Sequence, residues 1–331
     1  MKNNDYKELL NIEEKVKEIK TQDPELCDLI KNIEDWLLAG RITAFLLAYG
    51  KGLVTKGTKL RTVAEKIENK ANEINHHSPV PVKLAFPVNM SLNECAAHYS
   101  PGIMDETVFT DQIVKLDIGI SIKGAIGDAA VTIDLSGKNN KLVIAVEKAR
   151  DKAISMVKPG LTVTEIGKEV ENIITSYNFR PIRNLGGHQI ERYNLHAGIF
   201  VPNYNSHDQS KLQKGQILAI EPFASTGKGS VENSNDPEIF VVSKNAQVKD
   251  RTTRKILNAI DYYDGLPFSK LNLYNLSNKN SLEKINQALL NLDNLGMLYG
   301  YCPLSDVKGC LTSQSEHTVI VGDKPIITTI I

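Results

Sequence analysis

The sequence lacks the cysteine patterns of disulfide-rich and zinc-finger proteins. Its 331 residues contain four scattered cysteines, Cys27, Cys95, Cys302 and Cys310, and no C-x-x-C pair. This usage is typical of reduced thiols in a cytosolic protein. Cys95 and His98 have the spacing of half a zinc site, but the sequence contains no second half.

Long apolar runs and an excess of charge of either sign are also missing. No stretch approaches the roughly 18 apolar residues that indicate a membrane span, and the polar residues 2–5 are unlike a secretory signal. Lys plus Arg and Asp plus Glu each number 39, so the net charge is zero. That balance argues against a large nucleic-acid or membrane surface. We therefore expect a cytoplasmic protein with no membrane attachment and no specific nucleic-acid partner.

A diverged internal repeat is the most informative pattern that the sequence does contain. Residues 54–69 (VTKGTKLRTVAEKIEN) resemble residues 157–172 (VKPGLTVTEIGKEVEN) at an offset of 103. Gly57 and Gly160 each end one helix-like stretch and precede another. The repeat predicts a duplicated α+β fold.

The repeat also aligns two carboxylates. Residues 110–117 and 214–221 match at an offset of 104, both are strand-like, and both end on a carboxylate, Asp117 or Glu221. Alternatively, these could be surface carboxylates of a half-exposed sheet. A carboxylate kept in both copies of an apolar strand favours a functional role.

A second carboxylate is predicted beside Asp117. The strand is expected to turn back near residues 123–124, which would place Asp128 opposite Asp117 within one residue of register. Directly opposed side chains have Cβ atoms about 4.5–5.5 Å apart. Because two carboxylates at that distance repel each other, the geometry suggests a shared metal ion.

The second half is longer than the first. Asp117 precedes Asp128 by 11 residues, whereas Glu221 precedes the next candidate, Glu316, by 95. The surplus contains amphipathic helical stretches near 250–262 and 281–295. We predict an inserted helical subdomain at residues 243–304 within a catalytic domain of residues 34–331.

Residues 1–33 are predicted to form an N-terminal helical extension. Leu9, Ile12, Val16 and Ile19 recur there at helical spacing. Two interpretations stay open: the helix packs on the enzyme body, or it docks a partner such as the ribosome.

Four carboxylates and one imidazole are the candidate metal ligands: Asp117, Asp128, His188, Glu221 and Glu316. This oxygen-rich set suits divalent Mn, Fe, Co or Zn. It is larger than one structural zinc requires and fits two ions about 3.5–4 Å apart, an arrangement used by aminopeptidases. Taken alone, His188, which follows two glycines in a predicted loop, could equally be a solvated or core histidine.

Several motifs occur in a family-specific order: NECAAHYSP at 93–101, KLDIG at 115–119, GGH at 186–188 with LHAG at 195–198, AIEPF at 219–223 and EHT at 316–318. Together they resemble the signature blocks of type 2 methionine aminopeptidases, from about Ile33 to the C-terminus. The resemblance implies the duplicated "pita-bread" fold with pseudo-two-fold symmetry and a helical insertion in the second half. It also implies a monomer.

The resemblance assigns roles to individual residues. It implies that all five candidates bind two divalent ions, with Asp128 and Glu316 bridging them, and that Glu221 is the general base and acid. The other residues it places at the active site are the substrate-contacting histidines, His98 and His196, and the methionine-pocket residues, Phe86, Leu195, Phe223 and Tyr301. Two departures concern packing near the site: Ser315 replaces a frequent aromatic residue, and Gly186 replaces a frequent serine.

The resulting expectation is a metal-dependent hydrolase. It would use metal-activated water to remove the initiator methionine from nascent proteins whose second residue is small, as part of protein maturation. Two alternatives use the same fold: a proline dipeptidase or aminopeptidase P, and a catalytically inactive protein that binds ribosomes or RNA.

Overall fold

Each half of the repeat begins with a helix. The computed structural model describes residues 3–276 and 281–331. The helices of these residues are α1 (Asn3–Leu10), α2 (Glu13–Gln22), α3 (Pro24–Leu29), α4 (Ile33–Leu53), α5 (Leu60–His77), α6 (Asn140–Met156), α7 (Val163–Ser176), α8 (Arg251–Ile260), α9 (Lys270–Leu276) and α10 (Leu282–Asn294), with one 3-10 turn at Asp261–Tyr263. Within the described ranges, no helix combines the length and apolar character that crossing a membrane requires.

The strands of the described residues are β1 (Val82–Leu92), β2 (Cys95–Ala97), β3 (Ile113–Ile122), β4 (Ala125–Asp134), β5 (Arg180–Pro181), β6 (Gly186–Glu191), β7 (Asn194–Pro202), β8 (Ile217–Ile220), β9 (Phe223–Ser225), β10 (Glu232–Asn233), β11 (Ile239–Val242), β12 (Phe268–Ser269), β13 (Leu298–Tyr301), β14 (Leu304–Ser305), β15 (Thr312–Gln314), β16 (His317–Ile320) and β17 (Ile326–Ile327). The main sheet of the first half has the order β1-β3-β4, and that of the second half has the order β17-β16-β8-β6-β7. Helices α4 and α5 pack on the first sheet, and helices α6 and α7 cover the second half.

The repeat persists in the backbone hydrogen bonds. Gly57 and Gly160 adopt φ values of 87° and 84°, in the left-handed region that favours glycine. The N–H of Gly57 donates to the carbonyl of Phe109 at 2.8 Å, and the N–H of Gly160 donates to the carbonyl of Leu212 at the same distance. Both pairs are related by the offset of 103 read from the sequence. The predicted duplication is therefore present in the fold.

The hairpin of β3 and β4 turns at Lys123 and Gly124, as predicted. Both residues have positive φ, 49° and 84°, which a tight two-residue hairpin turn requires. The predicted register was wrong, because closing this turn places Asp117 opposite Ala130 and Asp128 opposite Gly119. The two carboxylates are diagonal neighbours on one face of the sheet, two positions apart, and not directly opposed.

A separate apolar cluster lies between Glu221 and Glu316 in the sequence. Helices α8, α9 and α10 contribute buried side chains, including Ile256, Leu273 and Ile285. Strand β11, which precedes residue 243, pairs with both β12 and β13 of this region. The proposed subdomain boundary at residues 243–304 stays a prediction.

Residues 3–29 form three helices, α1, α2 and α3, and the single helix predicted from Leu9 to Ile19 is broken between α1 and α2. The break falls at Asn11 and Ile12, and the side chain of Asn11 accepts a hydrogen bond from the N–H of Glu13 at 3.0 Å. Leu9 and Ile19 are buried in apolar clusters that they share with the rest of the chain. Docking of a partner such as the ribosome stays a prediction.

Candidate metal centre

A cavity of about 550 Å³ lies between the two halves of the structure. Its walls include every residue that the sequence singled out for metal binding, catalysis or methionine binding: Phe86, His98, Asp117, Asp128, His188, Leu195, His196, Glu221, Phe223, Tyr301 and Glu316. Residues more than 200 positions apart in the sequence thus share one site.

The five candidate ligands come from both halves. Asp117 and Asp128 lie on β3 and β4, His188 lies on β6, Glu221 directly follows β8, and Glu316 directly precedes β16. His188 is therefore on a strand and not in the loop that its two preceding glycines predicted.

The distances within the set are short. Asp128, His188 and Glu316 each offer one ligand atom, and these three atoms lie within 4.8 Å of one another. His188 Nε2 lies 3.4 Å from Glu221 Oε1. Asp117 joins the group through Gln314, which Glu221 also contacts.

Gln314 was missed by the sequence reasoning. Its Nε2 donates to Asp117 Oδ2 at 3.3 Å and to Glu221 Oε2 at 3.1 Å. The side chain is almost completely buried, so these are the contacts that hold two carboxylates from different halves side by side. Its position in the sequence could have indicated this role, because residues two apart in an extended segment point to the same side and Gln314 lies two residues before Glu316.

Burial makes the carboxylate cluster unfavourable without a cation. It raises the pKa of Asp117 to about 6, and it raises the pKa values of Asp128, Glu221 and Glu316 well above their ordinary range, with further increases from their neighbours' charges. Both carboxylate oxygens of Glu316 are buried without a hydrogen-bond partner in the described structure. Unpaired buried carboxylates are costly unless they coordinate a metal. The residues present therefore fit divalent cations.

The surroundings of the cavity histidines favour the neutral form of their imidazole rings. Burial lowers the pKa of His98 to about 3 and that of His196 to about 4, and burial with the charge of His196 lowers the pKa of His188 well below its usual range. His196 lies in the cavity wall among other rings, and part of its side chain faces the open space of the cavity. A neutral imidazole is the form that binds metals and that can donate one hydrogen bond to a substrate.

Aromatic rings form the apolar side of the cavity. Phe86 and Tyr301 meet edge to face with ring centres 5.3 Å apart, and the ring of His98 lies 5.7 Å from Phe86 and 5.5 Å from Tyr301. His98 has a φ of 65°, a left-handed conformation that is uncommon outside glycine and is concentrated at functional sites. The arrangement suits a flexible apolar side chain next to the carboxylates.

One cavity of the duplicated fold contains buried carboxylates, histidines and an apolar pocket. This combination defines a metal-dependent peptidase. The sequence profile of "Metallopeptidase family M24" matches residues 37–243. The chain belongs to metallopeptidase family M24.

Methionine aminopeptidases are among the relatives of this chain. The methionine aminopeptidase of Thermococcus onnurineus is 40% identical over 291 residues, which cover 87% of this chain and 96% of that protein. The methionine aminopeptidase of Pyrococcus abyssi is 38% identical over 301 residues, which cover 90% and 99%.

Solved structures show the same fold at lower identity. A thermophilic Arx1 matches with a TM-score of 0.78 at 16% identity and covers 91% of this chain and 90% of its own. The methionine aminopeptidase of Thermotoga maritima matches with a TM-score of 0.63 at 23% identity and covers 90% and 96%. The predicted pita-bread fold is confirmed by these matches and by the family.

Proposed function

We propose that the chain is a type 2 methionine aminopeptidase that removes the initiator methionine from nascent proteins whose second residue is small. The observation that carries the proposal is the single cavity in which all five candidate ligands face two histidines and an aromatic pocket. The identity to methionine aminopeptidases over nearly their whole length supports the same activity.

The donor set fits divalent cations, which Asp117, Asp128, His188, Glu221 and Glu316 would hold. Bound cations of this kind lower the pKa of water towards neutrality and polarise a carbonyl. Manganese, iron, cobalt and zinc all suit these ligands, and the carboxylates would be held ionised in their presence.

The chain's own side chains supply the remaining chemistry. Glu221, which accepts a hydrogen bond from Gln314, takes a proton from the attacking water and returns it to the leaving amine. His196, open to the cavity, and His98 donate hydrogen bonds to the substrate as negative charge develops on its carbonyl oxygen.

The aromatic side of the cavity provides the specificity. Phe86, Leu195, Phe223 and Tyr301 are the proposed methionine pocket, and each lines the cavity. A thioether binds aromatic rings favourably at about 5 Å and its unbranched chain adapts to an irregular pocket. We therefore expect a branched leucine side chain to bind this pocket less well.

The type 2 assignment rests on the residue blocks and on the helical region before Glu316. The NECAAHYSP block supplies β2 and His98, and helices α8 to α10 lie where the type 2 branch has its insertion. A cytoplasmic monomer with an N-terminal extension packed on its body is part of the same proposal.

Peptide hydrolysis tests the function directly. Chelated enzyme, with and without added Mn or Co, is compared on Met-Ala-Ser, Leu-Ala-Ser, Met-Pro and Ala-Pro peptides. We expect metal-dependent release of Met from Met-Ala-Ser and little release of Leu. Preferential cleavage before proline would identify a proline-specific peptidase instead, and no cleavage with any metal would favour a binding protein.

A further inference from the structure

Two large apolar side chains are exposed inside the catalytic cavity. Phe200, on β7, is 43% exposed, and Tyr299, on β13, is 57% exposed. Of the exposed large apolar residues in the described ranges, these two line the cavity. Neither belongs to the carboxylate group or to the proposed methionine pocket. Exposed rings within a concave site indicate a surface that a ligand covers.

Phe200 is placed at the cavity by its strand pairing. Its Cα pairs with that of His188 across the β6–β7 ladder, and paired residues of antiparallel strands point to the same face. The phenyl ring therefore stands beside the candidate ligand His188, on the cavity side of the sheet.

Gly186 allows the ring to lie close to the sheet. A Cβ at position 186 would lie 3.0 Å from Cζ of Phe200, 3.2 Å from its Cε2 and 2.5 Å from the carbonyl oxygen of Val201. The φ of Gly186 is outside the left-handed region, so this glycine is required for space and not for backbone conformation. The phenyl ring of Phe200 thus lies over Gly186, and a larger residue at position 186 would displace the ring.

Tyr299 extends the aromatic wall away from the methionine pocket. Its ring lies 5.0 Å from that of Tyr301, at right angles, and Tyr301 contacts Phe86 of the pocket. Tyr299 and Tyr301 are two residues apart on one strand, which corresponds to about 6.6 Å along the same face.

An extended substrate has the same spacing. In an extended peptide the first and third side chains lie on one side, also about 6.6 Å apart, while the second points away. If methionine occupies the pocket at Tyr301 and the peptide extends along β13 towards Tyr299, the third side chain reaches the ring of Tyr299. The exposed ring of Phe200 provides a second apolar surface on the His188 side of the cavity.

We propose that Phe200 and Tyr299 form an outer subsite that selects substrates with an aromatic or large apolar third residue. This inference rests on the proposed function. Ring–ring contacts of this kind favour the aromatic peptide by up to about tenfold in kcat/KM. We expect the preference to appear as a lower KM with an unchanged kcat, because the contact is the same in the ground state and the transition state.

The test compares Met-Ala-Phe-Gly with Met-Ala-Ser-Gly on metal-loaded wild-type enzyme and on the variants Phe200→Ser and Tyr299→Ser. Leu290→Ser is the matched control, because Leu290 is 54% exposed on α10 and lies outside the residues lining this cavity. We expect wild type and Leu290→Ser to prefer the Phe peptide by several-fold, and each cavity variant to lose most of that preference through KM.

The outcomes separate this inference from the proposed function. Release of Met from both peptides at equal kcat/KM by wild type would overturn the outer subsite alone. A preference that survives in both cavity variants would also overturn it. Failure to release Met from either peptide with any metal would overturn the proposed function and the subsite together. Circular dichroism of each variant checks that a lost preference does not reflect unfolding.

Discussion

The hydroxyl of Thr318 bridges both backbone polar groups of Asp128. It accepts a hydrogen bond from the N–H of Asp128 at 2.7 Å and donates one to the carbonyl of Asp128 at 2.8 Å. Both residues are buried, and Thr318 lies two positions after Glu316. One hydroxyl therefore fixes the relative position of two candidate ligands that come from different halves of the fold.

Replacing Thr318 with valine is expected to destabilise the protein by about 2–3 kcal/mol, because two buried backbone groups lose their partner while the side-chain volume is kept. Urea unfolding of the metal-free protein measures the free energy. Thr318→Ser is the control, since it keeps the hydroxyl. Equal stabilities of the Val and Ser variants would show that the bridge contributes little.

Glu221→Gln is expected to abolish release of Met from Met-Ala-Ser while leaving the fold intact. The amide is similar in size but cannot accept and return a proton at neutral pH. Steady-state hydrolysis, with circular dichroism as the fold check, measures the effect. Near-normal turnover would remove Glu221 from its proposed role.

Gln314→Met is expected to weaken metal binding by about 10- to 100-fold, the usual range for groups that orient metal ligands. Methionine is similar in length but cannot donate to Asp117 and Glu221. Isothermal titration calorimetry of the metal-free protein with Mn measures the affinity for the metal ion. Gln213→Met, at an exposed position, is the matched control, and equal affinities in the two variants would contradict the role of Gln314.

Metal removal is expected to destabilise the protein more at pH 8 than at pH 5. Burial raises the pKa of Asp117 from 3.8 to about 6, and burial together with the neighbouring carboxylates also raises the pKa values of Asp128, Glu221 and Glu316. The metal-free native state therefore holds protons that the unfolded chain has released, and its stability falls as the pH rises above about 4.

Bound cations replace those protons. Metal at 100 times its Kd adds about 2.7 kcal/mol per site, so the melting temperature with and without chelator is the measurement at both pH values. A chelator effect that is equal at pH 5 and pH 8 would contradict the proposed coordination by these carboxylates.

A second pH effect is expected at Glu68, far from the metal centre in sequence. Its Oε1 accepts a hydrogen bond from Asn272 Nδ2 at 2.7 Å, between α5 and α9. Burial raises the pKa of this carboxyl from 4.5 to about 7. Since the folded-state value is the higher one, wild-type stability falls between pH 4.5 and 7 through this group.

Glu68→Gln removes that titration and keeps an acceptor for Asn272. The variant is expected to gain up to about 3 kcal/mol over wild type at pH 8 relative to pH 4.5. Urea unfolding at several pH values gives the difference between the two proteins, in which other titrating groups cancel. A difference that stays constant with pH would place the pKa of Glu68 near its ordinary value.

The repeat explains why much of the fold was predictable. It located Gly57 and Gly160 at equivalent turns and aligned Asp117 with Glu221, because local chain geometry and strand patterning are both encoded in short segments. The Lys123–Gly124 turn was predictable for the same reason. The register across it required the turn length, which sets Asp117 opposite Ala130.

The features that were missed depend on tertiary contacts. His188 reads as a loop residue because two glycines precede it, but Gly187 is needed where a Cβ would lie 2.2 Å from the carbonyl oxygen of Ala219 on the next strand. Gln314 has no distinguishing sequence pattern, and its role follows from carboxylates that lie 93 and 197 residues away. At the break between α1 and α2, the side chain of Asn11 accepts a hydrogen bond from the N–H of Glu13, a contact that the apolar spacing does not indicate.

Because the candidate ligands come from both halves of the fold, catalysis requires that the two halves dock correctly. The first half contributes only Asp117 and Asp128, and the second contributes His188, Glu221 and Glu316, so neither half by itself holds the complete donor set. A fragment ending between Asp128 and His188 could fold its sheet and still be inert. Mixing such complementary fragments and following the return of peptidase activity would therefore report docking of the two halves.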